Sequence, residues 1–256
     1  MDFKKIEWIF FVAFLGINVF LFSSYQEAIS QESNVIRSGQ TESIQQRLAS
    51  DDISYTGKIS SESRQGYYLS AEETSFSKKL AEQHNDSEKK SLLTSDIVIN
   101  ENVLFGSNYV YAKNFSNLDS STPEIQASQI YEGLPFYDDT AKIVFSLTKK
   151  DKEFMVTKYT QTHLSDIEQL REKMELHTEE DAIKTLYANN KISRGSKILW
   201  RQLAYSCILK VREKNVYVPI WYIAIESTDK AIQVESVNAF SNTIVTNNTI
   251  PKVEDH

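Results

Sequence analysis

With one cysteine in 256 residues, Cys207, the chain can form neither an internal disulfide framework nor a Cys-x-x-Cys zinc or redox pair. Glycine (seven) and proline (four) are scarce beside thirteen Tyr and thirteen Phe, which favours sheet-rich packing over a flexible array. A basic excess is missing too. Lys and Arg number 28 against 35 Asp and Glu, so the net charge is −7 and nucleic acid is excluded as a partner, because phosphate binding needs clustered cations. The four histidines, His84, His163, His177 and His256, include no pair at ligand spacing. No Gly-x-Ser-x-Gly elbow, phosphate loop or dinucleotide fingerprint occurs. What is present is an ordinary globular composition, 41% hydrophobic and 25% charged, long enough for one large domain or two small lobes.

One long uncharged run stands at the start, from Trp8 to Tyr25. As a helix it rises about 27 Å, close to the hydrocarbon thickness of a bilayer. Trp8 and Tyr25 flank it as interfacial rings, and Lys4 and Lys5 precede it, so the positive-inside rule puts the N-terminus in the cytoplasm and the rest outside. A cleaved signal peptide of the same orientation is the other reading, with Ala28-Ile29-Ser30 as the small-x-small site. That site lies well beyond Phe22 and the run is long for a signal core, which favours a retained single-pass anchor in the cell membrane. On its helical net, Phe11, Phe14, Leu15, Asn18 and Phe22 share one face, while Ala13 and Gly16 lie one turn apart on the other. An amide in hydrocarbon seeks a hydrogen bond from another helix, and small residues admit a close neighbour. The competing reading is an anchor that tolerates one Asn.

The expected organisation is α+β: an N-terminal transmembrane helix, then an extracellular domain of antiparallel sheet with packed helices in two lobes. Residues 1–7 form the cytoplasmic end, 8–25 the span, and 26–50 a stalk running into a helix near Thr41 to Ala49. Residues 51–123 make a first lobe, 124–246 a second, and 247–256 a loose tail. In the first lobe, strands are expected at Ile53–Tyr55, Tyr67–Leu69, Ile97–Ile99, Val103–Phe105 and Tyr109–Tyr111, with a partly helical surface segment from Ser70 to Lys90. In the second, Ile143, Phe145 and Leu147 alternate into a hairpin returning through Phe154 to Gln161. Ser165-Asp-Ile-Glu168 and Thr178-Glu-Glu-Asp181 both read as helix starts. Strands follow at Lys197–Val211, Val216–Glu226 and Ala231–Ala239, with a short one at Thr243–Val245. The run V-Y-V-P-I-W-Y-I-A-I predicts a strand covered on both faces, with Pro219 at a bulge or bare edge.

Chemistry is sparse. His177-Thr-Glu-Glu180 could offer one imidazole and two carboxylates, but it reads better as the end of one helical segment and the start of the next. Cys207 alternates with Leu203, Tyr205 and Leu209 and reads as a buried, inert thiol. Asp51-Asp52 and Asp138-Asp139 read as solvated turn acids, with a glycosidase pair as the alternative. Catalytic, metal and cofactor residues are therefore not assigned. Two rival classes remain: a signal-anchored cell-wall hydrolase or transferase using Asp138, Asp139, Glu179 or Glu180, and a binding module with an aromatic groove at Trp200, Trp221 and Tyr222. For those three rings the sheet core is the simpler account.

The opening M-D-F-K-K-I-E-W-I-F-F-V-A-F-L-G-I-N-V-F-L-F, with its membrane Asn18, resembles the start of the YycI (WalI) family of Gram-positive bacteria. Gly133-Leu134-Pro135-Phe136, Tyr159-Thr160-Gln161-Thr162, Val218-Pro219-Ile220-Trp221 and Val237-Asn238-Ala239-Phe240 fit the same family in the expected order. Asp51 to Asp96 resembles it least. The resemblance implies a non-catalytic, cofactor-free regulator whose second lobe is similar to a sister protein, YycH. It also implies association with that YycH-like protein outside the membrane and control of an essential sensor histidine kinase (YycG/WalK-like) of cell-wall metabolism through transmembrane helix contacts.

Overall fold

A computed structural model describes residues 43–79, 103–118, 121–150, 153–211, 214–246 and 252–253, together with Trp8, Phe11, Phe14, Ile17, Asn18 and Phe22. The chain divides into two compact units, 1–50 and 51–256. In the first, α1 (Ile44–Ser50) begins at a reciprocal cap. The Gln46 amide donates to Ser43 Oγ and the Ser43 amide to Gln46 Oε1, which satisfies two of the orphan donors of a helix start.

The second unit is built on one large mixed sheet. Its strands are β1 (Ser54–Tyr55), β3 (Leu69–Lys79), β4 (Tyr109–Tyr111), β5 (Glu124–Tyr131), β6 (Leu134–Pro135), β7 (Lys142–Lys150), β8 (Glu153–Gln169), β10 (Lys197–Val211), β11 (Lys214–Glu226), β12 (Ile232–Asn238) and β13 (Lys252–Val253). The main order is β1-β10-β11-β3-β8-β7-β5-β4, and all pairings are antiparallel except those of β1 and β13 with β10. A small second sheet pairs β2 (Arg64–Gly66) with β9 (Met174–Leu176). One long helix, α2 (Glu179–Ala188), lies against β11 and β12. The fold is α+β with the sheet dominant. Strands from both sides of residue 123 share that sheet, because β3 is inserted between β11 and β8.

The helix start at Thr178 forms as its residues predict. Thr178 Oγ1 accepts from the Asp181 amide while the Asp181 carboxylate accepts from the Thr178 amide. Ala182, Ile183 and Leu186 are fully buried, and each of the two larger side chains contributes about 1.5–3 kcal/mol by leaving water. Asn189 closes the helix and Asn190 follows with φ 56°.

Ser165–Glu168 does not start a helix. β8 runs through it to Gln169, and Ser70 faces Glu168 while Glu72 faces Ser165, so two residues of β8 oppose Ala71 alone. Asp166 sits at φ 47°, a left-handed conformation that Asp tolerates better than most residues. The same Ser-Asp-x-Glu string serves a β-bulge here. The expected helical segment from Ser70 is strand as far as Lys79, with the remainder outside the described residues. Val103–Phe105 is a turn that leads into a 3-10 turn at Gly106–Asn108, with Phe105 at φ 56°. Ile97–Ile99 lies outside the described residues. His177 follows β9 and ends no helix.

β11 is covered on both faces, with Tyr217 to Ile225 all buried. Pro219 occupies neither a bulge nor an outer edge. β11 pairs with β10 along its length, and on its other side with β3 at 214–217 and then β12 at 220–226. The proline falls where one partner strand gives way to the other, so its missing N–H costs no ladder bond. Its ring packs on Gly66, where a Cβ would stand only 2.7 Å from Pro219 Cγ. Polar ties close the core. The Gln129 side chain, 2% exposed, donates to the Leu164 carbonyl and accepts from the Leu164 amide, replacing a strand partner.

Candidate functional site

Of the residues expected to pack or anchor a membrane helix, Trp8, Phe11, Asn18 and Phe22 are described; they are helical and exposed, as are Phe14 and Ile17. The Asn18 amide donates to the Phe14 carbonyl at 2.8 Å, four residues back in its own helix. One carboxamide N–H and the carbonyl oxygen are then left for a neighbour. Lys4, Lys5, Ala13, Leu15, Gly16 and Tyr25 lie outside the described residues, and among the described residues no helix is long and apolar enough to cross a membrane.

The second unit carries a cleft of about 710 Å³ between β10, β12, β5 and the segment from Tyr137 to Lys142. Its aromatic wall comes from three distant stretches. Phe115 stacks on Tyr137 with centroids 3.5 Å apart and meets Trp200 edge-on at 5.3 Å, while Tyr222 abuts Tyr137 from beneath. Leu199, Ile232 and Val234 extend the apolar surface. Opposite them, the outward-alternating positions of β5 present Gln126 and Ser128. Trp221 is buried elsewhere, its indole N–H donating to the His177 carbonyl at 2.8 Å, and Tyr222 is buried too. Of the three rings expected together, only Trp200 lines the cleft.

The charges around this cleft are already engaged. Lys142 pairs with Asp139 at 2.6 Å and Lys210 with Glu73 at 3.4 Å. Asp138 is not the solvated turn acid its sequence context suggests. Its carboxylate accepts from the Thr140 amide and hydroxyl and from the Cys207 amide, and burial pushes its pKa up from the ordinary carboxylate range against the pull of those bonds. Asp139 beside it is exposed. Tyr217, its hydroxyl against Thr140 Oγ1 at 2.7 Å, is pushed upward mainly by burial. The Cys207 thiol is raised to about 11, first by burial and then by Asp138, which leaves it unreactive at neutral pH.

The other acids considered for catalysis are held as well. Glu179 pairs with Arg201, whose guanidinium also donates to the carbonyls of Thr56 and Lys58, and Glu180 pairs with Lys184 at 2.9 Å. Asp51 accepts from the Tyr187 hydroxyl at 2.7 Å. Among the described residues no three His, Cys, Asp or Glu side chains are placed to hold a metal ion.

The molecule is thus an α+β domain on one large sheet, with an aromatic cleft whose charged groups are internally compensated. A family model for the YycI protein matches residues 31–98 and 82–240. The chain belongs to the YycI protein family, a regulatory family. No curated protein matches it. Among solved structures, an uncharacterized protein from Eubacterium rectale ATCC 33656 is similar at 10% identity and a TM-score of 0.36, over 52% of this chain. The chain spans 45% of the length of that protein.

Proposed function

We propose that this chain is a membrane-anchored regulator that associates with a YycH-like sister protein and biases a YycG/WalK-like sensor histidine kinase of cell-wall metabolism by transmembrane helix contacts. The observation that carries the reading is the family match running from residue 31 to residue 240. The uncharged run from Trp8 to Tyr25 behind Lys4 and Lys5 supports a single-pass anchor with the larger unit outside the cell. A kinase whose helices have two packings is shifted by any neighbour that fits one of them better. A tenfold shift needs about 1.4 kcal/mol of differential packing, within reach of one interhelical amide bond and one close small-residue contact.

On this reading Asn18, with Phe11, Leu15 and Phe22, forms the partner-facing side, and Ala13 with Gly16 permits close approach on the other. Asn18→Leu keeps the helix apolar and removes the amide. The expected outcome is reduced co-purification of the kinase or the sister protein and an altered output of a kinase-dependent reporter. Unchanged values for both contradict the assignment of Asn18.

A further inference from the structure

The cleft in the second unit has a use that helix contacts do not require. Two of its polar groups are idle. Ser128 is 5% exposed, lines the cleft, and receives no hydrogen bond at its hydroxyl from any described residue. Gln126, its neighbour on the same strand face, likewise has no partner for its carboxamide among the described residues. Both side chains line a volume within the range of small-molecule sites, roughly 300–1,000 Å³.

The kind of ligand follows from what the cleft offers and withholds. Its cations are spoken for: Lys142 by Asp139 and Lys210 by Glu73. Asp138 has its oxygens filled by Thr140 and Cys207. A phosphate or a strongly charged peptide would find each of these cations already facing a carboxylate. What is free is neutral: a hydroxyl, a carboxamide and the aromatic wall of Trp200 and Phe115. That combination matches a molecule with flat C–H faces and a rim of hydroxyl or amide groups. We propose that this cleft is a binding site for a neutral oligosaccharide, one sugar ring lying against Trp200 and its rim hydrogen-bonded to Gln126 and Ser128.

The proposal rests on the cleft alone and stands or falls separately from the helix-contact reading. Full-length chain, purified in a detergent without a sugar head group, is titrated calorimetrically with chitotriose and with cellotriose. Intrinsic tryptophan fluorescence is followed in parallel. Saturable binding of at least one trisaccharide is expected, with a fluorescence change that Trp200→Phe alters. The double variant Gln126→Leu, Ser128→Ala removes groups that hold nothing in the protein, so its thermal midpoint stays put while its affinity drops about tenfold. Absence of binding by both sugars at millimolar concentration overturns the proposal. So does binding that the double variant leaves unchanged, or tighter binding of a nucleoside triphosphate than of either sugar.

Discussion

Arg201 shows how one side chain can tie three stretches of this chain together. It pairs with Glu179 at the start of α2 and donates to the carbonyls of Thr56 and Lys58, with side-chain exposures of only 9% for the arginine and 13% for the glutamate. Truncating it strands a buried carboxylate and two carbonyls. Arg201→Ala is expected to cost about 3–5 kcal/mol in urea denaturation, whereas Lys142→Ala, which leaves only the exposed Asp139 unpaired, costs less than about 1 kcal/mol. His163 is the other informative residue. Its ring stacks on Phe105 at 4.4 Å, its Nδ1 lies 3.0 Å from the Tyr109 hydroxyl, and that hydroxyl donates to the Thr162 carbonyl. Burial holds its pKa below the ordinary imidazole value, so the unfolded chain takes up the proton first as the pH falls. The neutral ring's stability is complete above about pH 6.5 and is lost below it until the folded ring also protonates. Urea midpoints at pH 7.5 and 5.5 are expected to separate for the native chain and to draw together for His163→Gln.

At the scale of elements, α2 depends on its cap. Thr178→Ala deletes the acceptor for the Asp181 amide and is expected to cost about 1 kcal/mol, with a lower denaturation midpoint and no loss of sheet signal. This helix was legible in the sequence because every determinant is local: hydroxyl, acid three residues on, and an apolar stripe of Ala182, Ile183 and Leu186. Strand β11 was legible for a similar reason, since a run apolar on both faces has few alternatives. Ser165–Glu168 was misread because a capping box and a bulge with Asp in the left-handed region use the same residue types, and only the pairing of β3 with β8 decides between them. β3 was missed because Glu72 to Ser75 is an unbroken polar run and its β8 partners lie about ninety residues away. Tertiary pairing overrode local propensity there. The cleft was hidden for the same cause: Phe115, Tyr137 and Trp200 belong to segments that only the sheet order brings together. Nothing in the alternation of β5 separates Ser128 from an ordinary strand serine.

For the whole molecule, the second unit is built on one large sheet. A central strand is buried on both faces, the flanking acids are paired, and the Cys207 thiol is held far from reactivity. The proposed regulation is assigned to the N-terminal helix, where a differential contact of about one hydrogen bond suffices to move a balanced kinase. The most direct test places a photoreactive residue at position 18 of the full chain, irradiates intact cells, and identifies what is joined to it. Crosslinks to the transmembrane helix of a sensor kinase or of a YycH-like protein are the predicted result. A chain released into the medium after cleavage near Ser30, fully active and joined to neither, would contradict it.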